Sequence, residues 1–447
     1  MRTQSLGDQT VDLLGRLVRL GCVNDLTADS GGEERAADLL EEFFAGLPVS
    51  IERITPHPGR TSLVVTVEGA DPRSAGTPLT LLGHTDVVPV DTAKWTRDPF
   101  GAQIEDDVMW GRGTVDMLHM TAAMAVVTRE VARRAQEGAP LTRSLVFVAA
   151  ADEEARGGLG VPWIGDNKPN ALPWDAALSE MGGAHVRGRR GGDSVVVVVG
   201  EKGAAQRRLH IRGDAGHGSV PLGRMSAVER LAQVSAALSA ARWPTATDEV
   251  WAGFVRAFEF DETIETSLIN GTYEGDYSEF EDLAAFAHAI SHVTVAHSGG
   301  PINVLPSHAT LELDIRTLPG VNDDDVDAAI AAALGDLAEH VTIERLLSEA
   351  ATASSIDTDL YRVIEAALTQ RYPGTRVVPV FFPGGSDLRV ARRLGGIGYG
   401  FGAVDSGASL GQVYSQLHAH DEHIALADVR ATAEVLHEVV TSYLTDV

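Results

Sequence analysis

A single cysteine, Cys22, stands among the 447 residues, which excludes an intramolecular disulfide and any zinc cluster built on several thiolates. Any metal site in this chain must therefore draw on His, Asp and Glu. Lysine is almost as scarce, with Lys94, Lys168 and Lys202 the only three among 36 basic residues. Positive charge is short overall, since 63 acids leave a net charge of −27. So acidic a surface argues against nucleic acid as a partner, because phosphate binding needs a basic face. No apolar run approaches membrane-spanning length, and no basic-then-apolar leader opens the chain. The expectation is a cytoplasmic protein with no membrane partner. What is present is enough apolar sequence, 44%, to build a core. The length suggests two domains, one of which could be inserted in the other.

The apolar residues of Thr10–Leu20 and Glu33–Leu47 have helical spacing. Short apolar runs then alternate with helical stretches. Ser62–Val67, Leu79–Leu82, Leu145–Ala149, Ala176–Leu178 and Ser194–Val199 read as strands, and a helix is expected from about Met117 to Arg134. This alternation predicts an α/β layer with a mainly parallel sheet flanked by helices. The character changes near Glu201. Arg207–Ile211, His292–His297, Thr310–Ile315 and Val341–Leu346 read as strands, with helices at Met225–Ala240 and Asp325–Leu334. The order βαββαβ predicts a small α+β lid domain. The expected division is 1–202 and 349–447 for the catalytic domain, with 203–348 inserted. A long acidic stretch, Asp248–Asp282, interrupts the insert and has no evident role.

Candidate ligands follow the strand-like runs directly. His84 and Asp86 follow Leu79–Leu82, Glu153 and Glu154 follow Leu145–Ala149, and Glu180 follows Ala176–Leu178. Ligands of open α/β sheets bind beyond the carboxyl ends of strands, so these residues could converge on one cleft. Taken singly, each reads more readily as a polar strand end, and it is their joint occurrence that favours a site. Asp116 follows a glycine-rich approach and precedes a helix, where an N-cap is the plain reading. Glu153-Glu154 could be a solvated acidic turn, or a pair in which one carboxylate binds metal and its neighbour moves protons. His418 lies in the local cluster His418-Ala-His-Asp-Glu-His423.

These residues fall within ordered motifs. They include Gly83-His84-Thr-Asp86-Val-Val-Pro89, Gly111-Arg-Gly-Thr-Val-Asp116-Met117, Asp152-Glu153-Glu154 and Glu180-Met-Gly-Gly. Further along come Gly216-His217-Gly-Ser219, Asn303-Val-Leu-Pro306, Arg316-Thr-Leu-Pro-Gly320, Gly384-Gly-Ser-Asp387 and His418-Ala-His-Asp-Glu422. In this order they resemble the aminoacylase, glutamate carboxypeptidase and succinyl-diaminopimelate desuccinylase family of dinuclear zinc metallopeptidases. The resemblance implies two Zn²⁺ ions, with Co²⁺ or Mn²⁺ as substitutes. Asp116 would bridge them, His84 and Glu180 would hold one, and Glu154 and His418 the other. It also implies that Asp86 orients His84 and that Glu153 carries a proton from the attacking water to the leaving amine. His217 would steady the oxyanion, often from the partner subunit of a dimer. Asn303, Arg316, Gly385 and Ser386 would bind substrate, and the peptide bond between Asp116 and Met117 would be cis.

The implied activity is hydrolysis of an amide beside a free carboxylate, as an exopeptidase (dipeptidase or carboxypeptidase) on small peptides. An N-acyl-amino-acid deacylase or desuccinylase is the alternative. A non-catalytic binding or dimerisation relative is the alternative of another class, which the complete set of ligands and Glu153 disfavours. Two departures from the family pattern concern the cleft: Leu118 and His119 follow Met117 where a lysine is usual, and Met181 replaces a smaller residue. Gly407-Ala-Ser409-Leu-Gly411 fits the nucleophile elbow of a serine hydrolase. It lies in a loop rich in glycine and serine and lacks the strand that motif needs.

Overall fold

A computed structural model describes residues 4–70, 76–155, 158–243, 245–275, 286 and 290–445. Its larger sheet runs, edge to edge, through Ser50–His57, Arg60–Val67, Leu145–Ala150, Leu79–His84, Ala176–Ser179, Ile397–Gly400, Asp193–Glu201 and Thr352–Ala353. Pairing is parallel from Leu145–Ala150 through Leu79–His84 and Ala176–Ser179 to Ile397–Gly400. Arg376–Phe382 also runs parallel to Asp193–Glu201, and antiparallel pairs lie towards both ends and where Ile397–Gly400 meets Asp193–Glu201. The central strands are buried on both faces, which is why they read as unbroken apolar runs rather than as alternation. Helices Leu6–Leu20, Leu118–Gln136 and Leu426–Leu444 pack together over one face. The short helices Val161–Asn167 and Leu388–Arg393 cover part of the other. The expected α/β layer is therefore the fold.

A second sheet has the order Ile290–Ser298, His308–Thr317, Gly203–Arg212, Val341–Glu349, antiparallel throughout. Helices Ala227–Ala240 and Asp323–Leu334 cover one face and share a core with it. Both helices start at capping boxes, Ser226 with Glu229 and Asn322 with Asp325, a reciprocal arrangement that satisfies two orphan backbone donors. The other face carries ion pairs, among them Arg208–Glu312 at 2.8 Å and His210–Glu344 at 2.8 Å. This one-sided burial produces the alternation seen in the sequence.

The acidic stretch has a place in this arrangement. Asp248 and Asp261 cap the helices Glu249–Ala257 and Glu262–Ile269, where a carboxylate both accepts the free N–H groups and complements the helix dipole. The apolar side chains between those caps do not join the small sheet. Trp251, Phe254, Val255, Phe260 and Leu268 form a cluster with Val196, Val198, Val378, Val380 and Phe382 of the large sheet. Residues 276–282 of the stretch lie outside the described residues. Among the described residues no helix is long and apolar enough to cross a membrane.

Candidate metal centre

Five segments bring the candidate ligands together, the last being the loop after the helix Leu410–Tyr414, which carries His418. His84 is the last residue of its strand, Glu180 follows Ala176–Ser179 directly, and Glu153 and Glu154 lie just beyond Leu145–Ala150. Asp116 lies between the strand Val108–Trp110 and the helix Leu118–Gln136, and its bond to Met117 is cis. The backbone is left-handed at Asp152, Met181 and His418, a sparsely populated region for residues other than glycine that often marks functional sites.

The two oxygens of Asp116 face two different imidazoles. Oδ1 lies 3.2 Å from His84 Nε2, and Oδ2 lies 3.3 Å from His418 Nε2. Glu180 Oε1 completes the first group, 3.8 Å from His84 Nε2. Glu154 Oε2 completes the second, 3.1 Å from His418 Nε2. Ligand atoms of His84, Asp116 and Glu154 all fall within 4.8 Å of one another.

Electrostatics define what this cluster accepts. Burial alone would raise the Asp116 pKa, but hydrogen bonds with His418 and His84 hold it well below the usual carboxylate range. Burial and then the Asp116 charge push Glu154 up to about 7 and Glu180 well above its ordinary value. Bonds to Asp116 and Glu154 push His418 up to about 10. Burial opposes the protonation of His84, yet Asp116 and Asp86 outweigh it and raise its pKa. These shifts have one meaning: the pocket concentrates more negative charge than its imidazoles neutralise, and cations among them would relieve it. Glu154 Oε1 and Glu180 Oε2 are buried with no hydrogen-bond partner, as expected of oxygens reserved for a metal. The donor set of two His and three carboxylates suits zinc or a similar first-row ion.

The residues around the ligands are held as firmly. Asp86 accepts bonds from the backbone N–H of Glu153 at 3.2 Å and of Glu154 at 3.1 Å, and from Asn24 Nδ2 at 2.8 Å. His84 Nδ1 lies 3.0 Å from the Asp86 carbonyl oxygen and 3.5 Å from its carboxylate. Asp86 thus positions the His84 ring and the Glu153-Glu154 turn together. Burial pushes the Glu153 pKa well up, His84 opposes that rise, and Asp387 and Glu154 add to it.

Beside the ligands opens a cleft of about 530 Å³. Glu153, Arg316 and Gly385 line it, as does an apolar wall of Met181, Phe382, Tyr414 and Leu417. Three expected residues stand apart from it. Ser386 is buried and gives its hydroxyl to Glu201 Oε1 at 2.6 Å. His217 and Asn303 are exposed on a short ribbon, in which His217 pairs with Val304 and the Asn303 carbonyl accepts from the Gly218 N–H at 2.7 Å. Neither of the two lines the cleft of this chain.

Other residues had no role assigned from sequence. Lys202 and Arg389 line the cleft, but each is an ordinary basic residue in sequence and only folding brings it there. Glu422 was visible inside the last motif. Its carboxylate accepts the backbone N–H groups of Gly113, Val115 and Asp116 at 3.0, 2.6 and 3.1 Å, and Arg112 at 2.6 Å. Ser409 is no nucleophile at an elbow; its Oγ accepts from Gln412 N at 3.2 Å and caps the helix Leu410–Tyr414.

Comparison with known proteins follows the same pattern. An acetylornithine deacetylase of Pectobacterium carotovorum is 25% identical over 68% of this chain, and the match spans 66% of that relative. A succinyl-diaminopimelate desuccinylase of Methylocella silvestris is 26% identical over 98% of this chain and 99% of its own. The crystal structure of an M20 family metallo-carboxypeptidase, Sso-CP2 of Sulfolobus solfataricus, superposes with a TM-score of 0.71. It is 19% identical and covers 98% of this chain and 99% of that one. The profile of peptidase family M20/M25/M40 matches residues 80–442, a range that holds every candidate ligand named above. The resemblance read from the ordered motifs is thus borne out, and the chain belongs to peptidase family M20/M25/M40.

Proposed function

We propose that this protein is a dinuclear metallohydrolase that cleaves an amide bond beside a free carboxylate, acting as an exopeptidase on dipeptides or other small peptides. The observation that carries this reading is the placing of Asp116, whose two oxygens lie 3.2 and 3.3 Å from two separate imidazoles. In this reading His84 and Glu180 would hold one ion and Glu154 and His418 the other, with Asp116 shared between them. Zinc is the proposed metal. When bound, such a pair supplies Lewis-acid polarisation of the amide carbonyl and makes water acidic enough to attack at neutral pH.

The chain's own residues do the rest. Asp86 fixes the His84 ring and the turn that carries Glu153. Glu153, half-buried in the cleft and raised in pKa chiefly by desolvation, takes the proton of the attacking water and returns it to the departing nitrogen. Arg316 offers a planar fork suited to a carboxylate, and Gly385 gives backbone access along the cleft. Residues 203–348 act as the lid, apart from the stretch anchored on the large sheet. His217 and Asn303, exposed and off this chain's cleft, would serve the cleft of a second subunit in a homodimer, His217 steadying the oxyanion. Ser386 anchors the backbone beside Gly385 through its bonds to Glu201.

A second reading, N-acyl-amino-acid deacylase or desuccinylase, is favoured by the names of the two sequence relatives. Both reactions need the same centre and differ in what lies on the acyl side. The deciding experiment is a screen of metal-loaded protein against dipeptides and N-acyl amino acids. Cleavage of dipeptides supports the first reading, cleavage of acyl amino acids alone supports the second, and hydrolysis of neither overturns both.

A further inference from the structure

Asn24, Glu33 and Arg60 are fully buried polar residues, and none of them is among the residues that line the cleft. Asn24 lies in the segment between the helices Leu6–Leu20 and Glu34–Phe43. Its backbone N–H donates to the Val87 carbonyl at 2.9 Å, which seats it behind the strand end that carries His84 and Asp86. Its side-chain Nδ2 donates to Asp86 Oδ2 at 2.8 Å and to Asp152 Oδ1 at 3.0 Å. Its Oδ1 accepts from Arg60 Nη2 at 3.1 Å and from the Leu26 N–H at 3.1 Å. Only one orientation of the amide satisfies these four partners. Turned over, its oxygen would face two carboxylates and its NH₂ group two donors.

Both carboxylates that Asn24 holds act on the same turn. Asp86 accepts the backbone N–H groups of Glu153 and Glu154 at 3.2 and 3.1 Å. Asp152 directly precedes Glu153 and has a left-handed backbone, a conformation that persists in such a residue only where the surroundings over-determine it. Here they do. The Asp152 N–H donates to Glu33 Oε1 at 3.1 Å, and its Oδ2 accepts the Leu159 N–H at 2.8 Å. Arg60 Nη1 lies 2.6 Å from Glu33 Oε1 and 3.4 Å from Asp152 Oδ1. Three buried acids thus converge on one guanidinium and one neutral amide, and buried charges of this kind need such partners. A neutral donor is what the position of Asn24 requires: a further carboxylate would add to the negative charge, and an apolar side chain would leave Asp86 and Asp152 unbridged.

We propose that Asn24 is a positioning residue: by bridging Asp86 to Asp152 it sets the Glu153-Glu154 turn and so aims the Glu153 carboxylate into the cleft, with Arg60 holding the amide in its working orientation. The inference rests on the proton-carrying role given to Glu153 above and adds a residue that acts through it.

The test uses the full-length, zinc-loaded protein and its best-cleaved substrate. Asn24→Leu keeps the volume and removes the bridge. Its kcat should fall by about 10-fold or more, the scale of a lost partner behind a metal site, while KM changes little. In the Glu153→Gln background the same substitution should lower the residual turnover hardly at all, because the group being aimed has gone. A merely destabilising change would show no such dependence on Glu153. Amide hydrogen exchange gives a readout independent of activity: the Glu153 and Glu154 N–H groups should exchange faster in the variant. Arg60→Lys keeps a charge opposite Glu33 but lacks the fork that reaches Asn24, and gives the same comparison should the leucine variant fail to fold. Unchanged kcat in a folded, zinc-loaded variant overturns the proposal, as does an equal loss with and without the Glu153 carboxylate, or unchanged exchange at both amides. If the wild-type protein hydrolyses nothing in the panel, the amide-hydrolase reading fails, and exchange alone then decides whether Asn24 sets the turn.

Discussion

The Glu422 carboxylate accepts the backbone N–H of Asp116 at 3.1 Å, so the residue that faces both imidazoles is aimed by a buried acid that touches neither. The same carboxylate also holds Gly113, Val115 and Arg112. Glu422→Gln would turn one acceptor oxygen into a donor against donors and leave Arg112 without its charge partner. The expected result is a loss of about 3–5 kcal/mol of stability and a fall of about 10–100-fold in metal affinity. Thermal melts and metal titration measure the two effects separately.

Glu153 differs from its neighbour in what it faces. Glu154 meets His418 at 3.1 Å, whereas Glu153 lines the cleft where a substrate would lie. Glu153→Gln should retain both metals and lose about 100-fold or more in turnover. Full activity in that variant, with metal content verified, would exclude the proton-carrying role.

Much of this site was legible because of where polar residues interrupt apolar runs. Leu79–Leu82 ends on His84, Leu145–Ala149 on Glu153 and Glu154, and Ala176–Leu178 on Glu180, so these candidate site residues sit at the carboxyl ends of buried parallel strands. The helix at Leu118–Gln136 and the βαββαβ order of the small sheet were legible from periodicity. The edge strand Ser50–His57 was not, because only Ile54 in it is buried and its charged residues break any apolar pattern. Lys202 and Arg389 could not be distinguished from surface charges, since their place in the cleft depends on pairing between distant strands. Ser386 shows the converse. Its motif suggested substrate contact, but the hydroxyl is committed to Glu201, a partner no local spacing reveals.

The acidic stretch was illegible because its charges conceal its function as helix caps over an aromatic cluster. Phe254 is buried against the large sheet and packs edge-on to Phe258 at 5.1 Å. Phe382 belongs both to this cluster and to the cleft wall. Phe254→Ala should therefore cost about 3–5 kcal/mol and also raise KM for substrates with an apolar side chain. A melt together with a KM series over side-chain size would detect both; a loss of stability alone would separate the cluster from the cleft.

His217 is exposed, with Nδ1 2.8 Å from Ser219 Oγ, and lies on the ribbon that also carries Asn303. If a second subunit uses it, Glu153→Gln and His217→Ala proteins, each inactive alone, should regain activity on mixing, because a heterodimer contains one intact site. The expected recovery is about a quarter of wild-type specific activity at equal mixing with random exchange, one intact site among two in half of the dimers. No recovery despite proven subunit exchange would assign His217 to its own chain.

The central claim is a pair of metal ions bridged by Asp116, and metal stoichiometry tests it most directly. Apo-protein titrated with zinc should take up two equivalents per chain. Asp116→Ala should lose tight binding of both together, while Glu180→Ala and Glu154→Ala should each weaken one. A single equivalent in the wild-type protein, or two tightly bound ions retained in Asp116→Ala, would contradict the account.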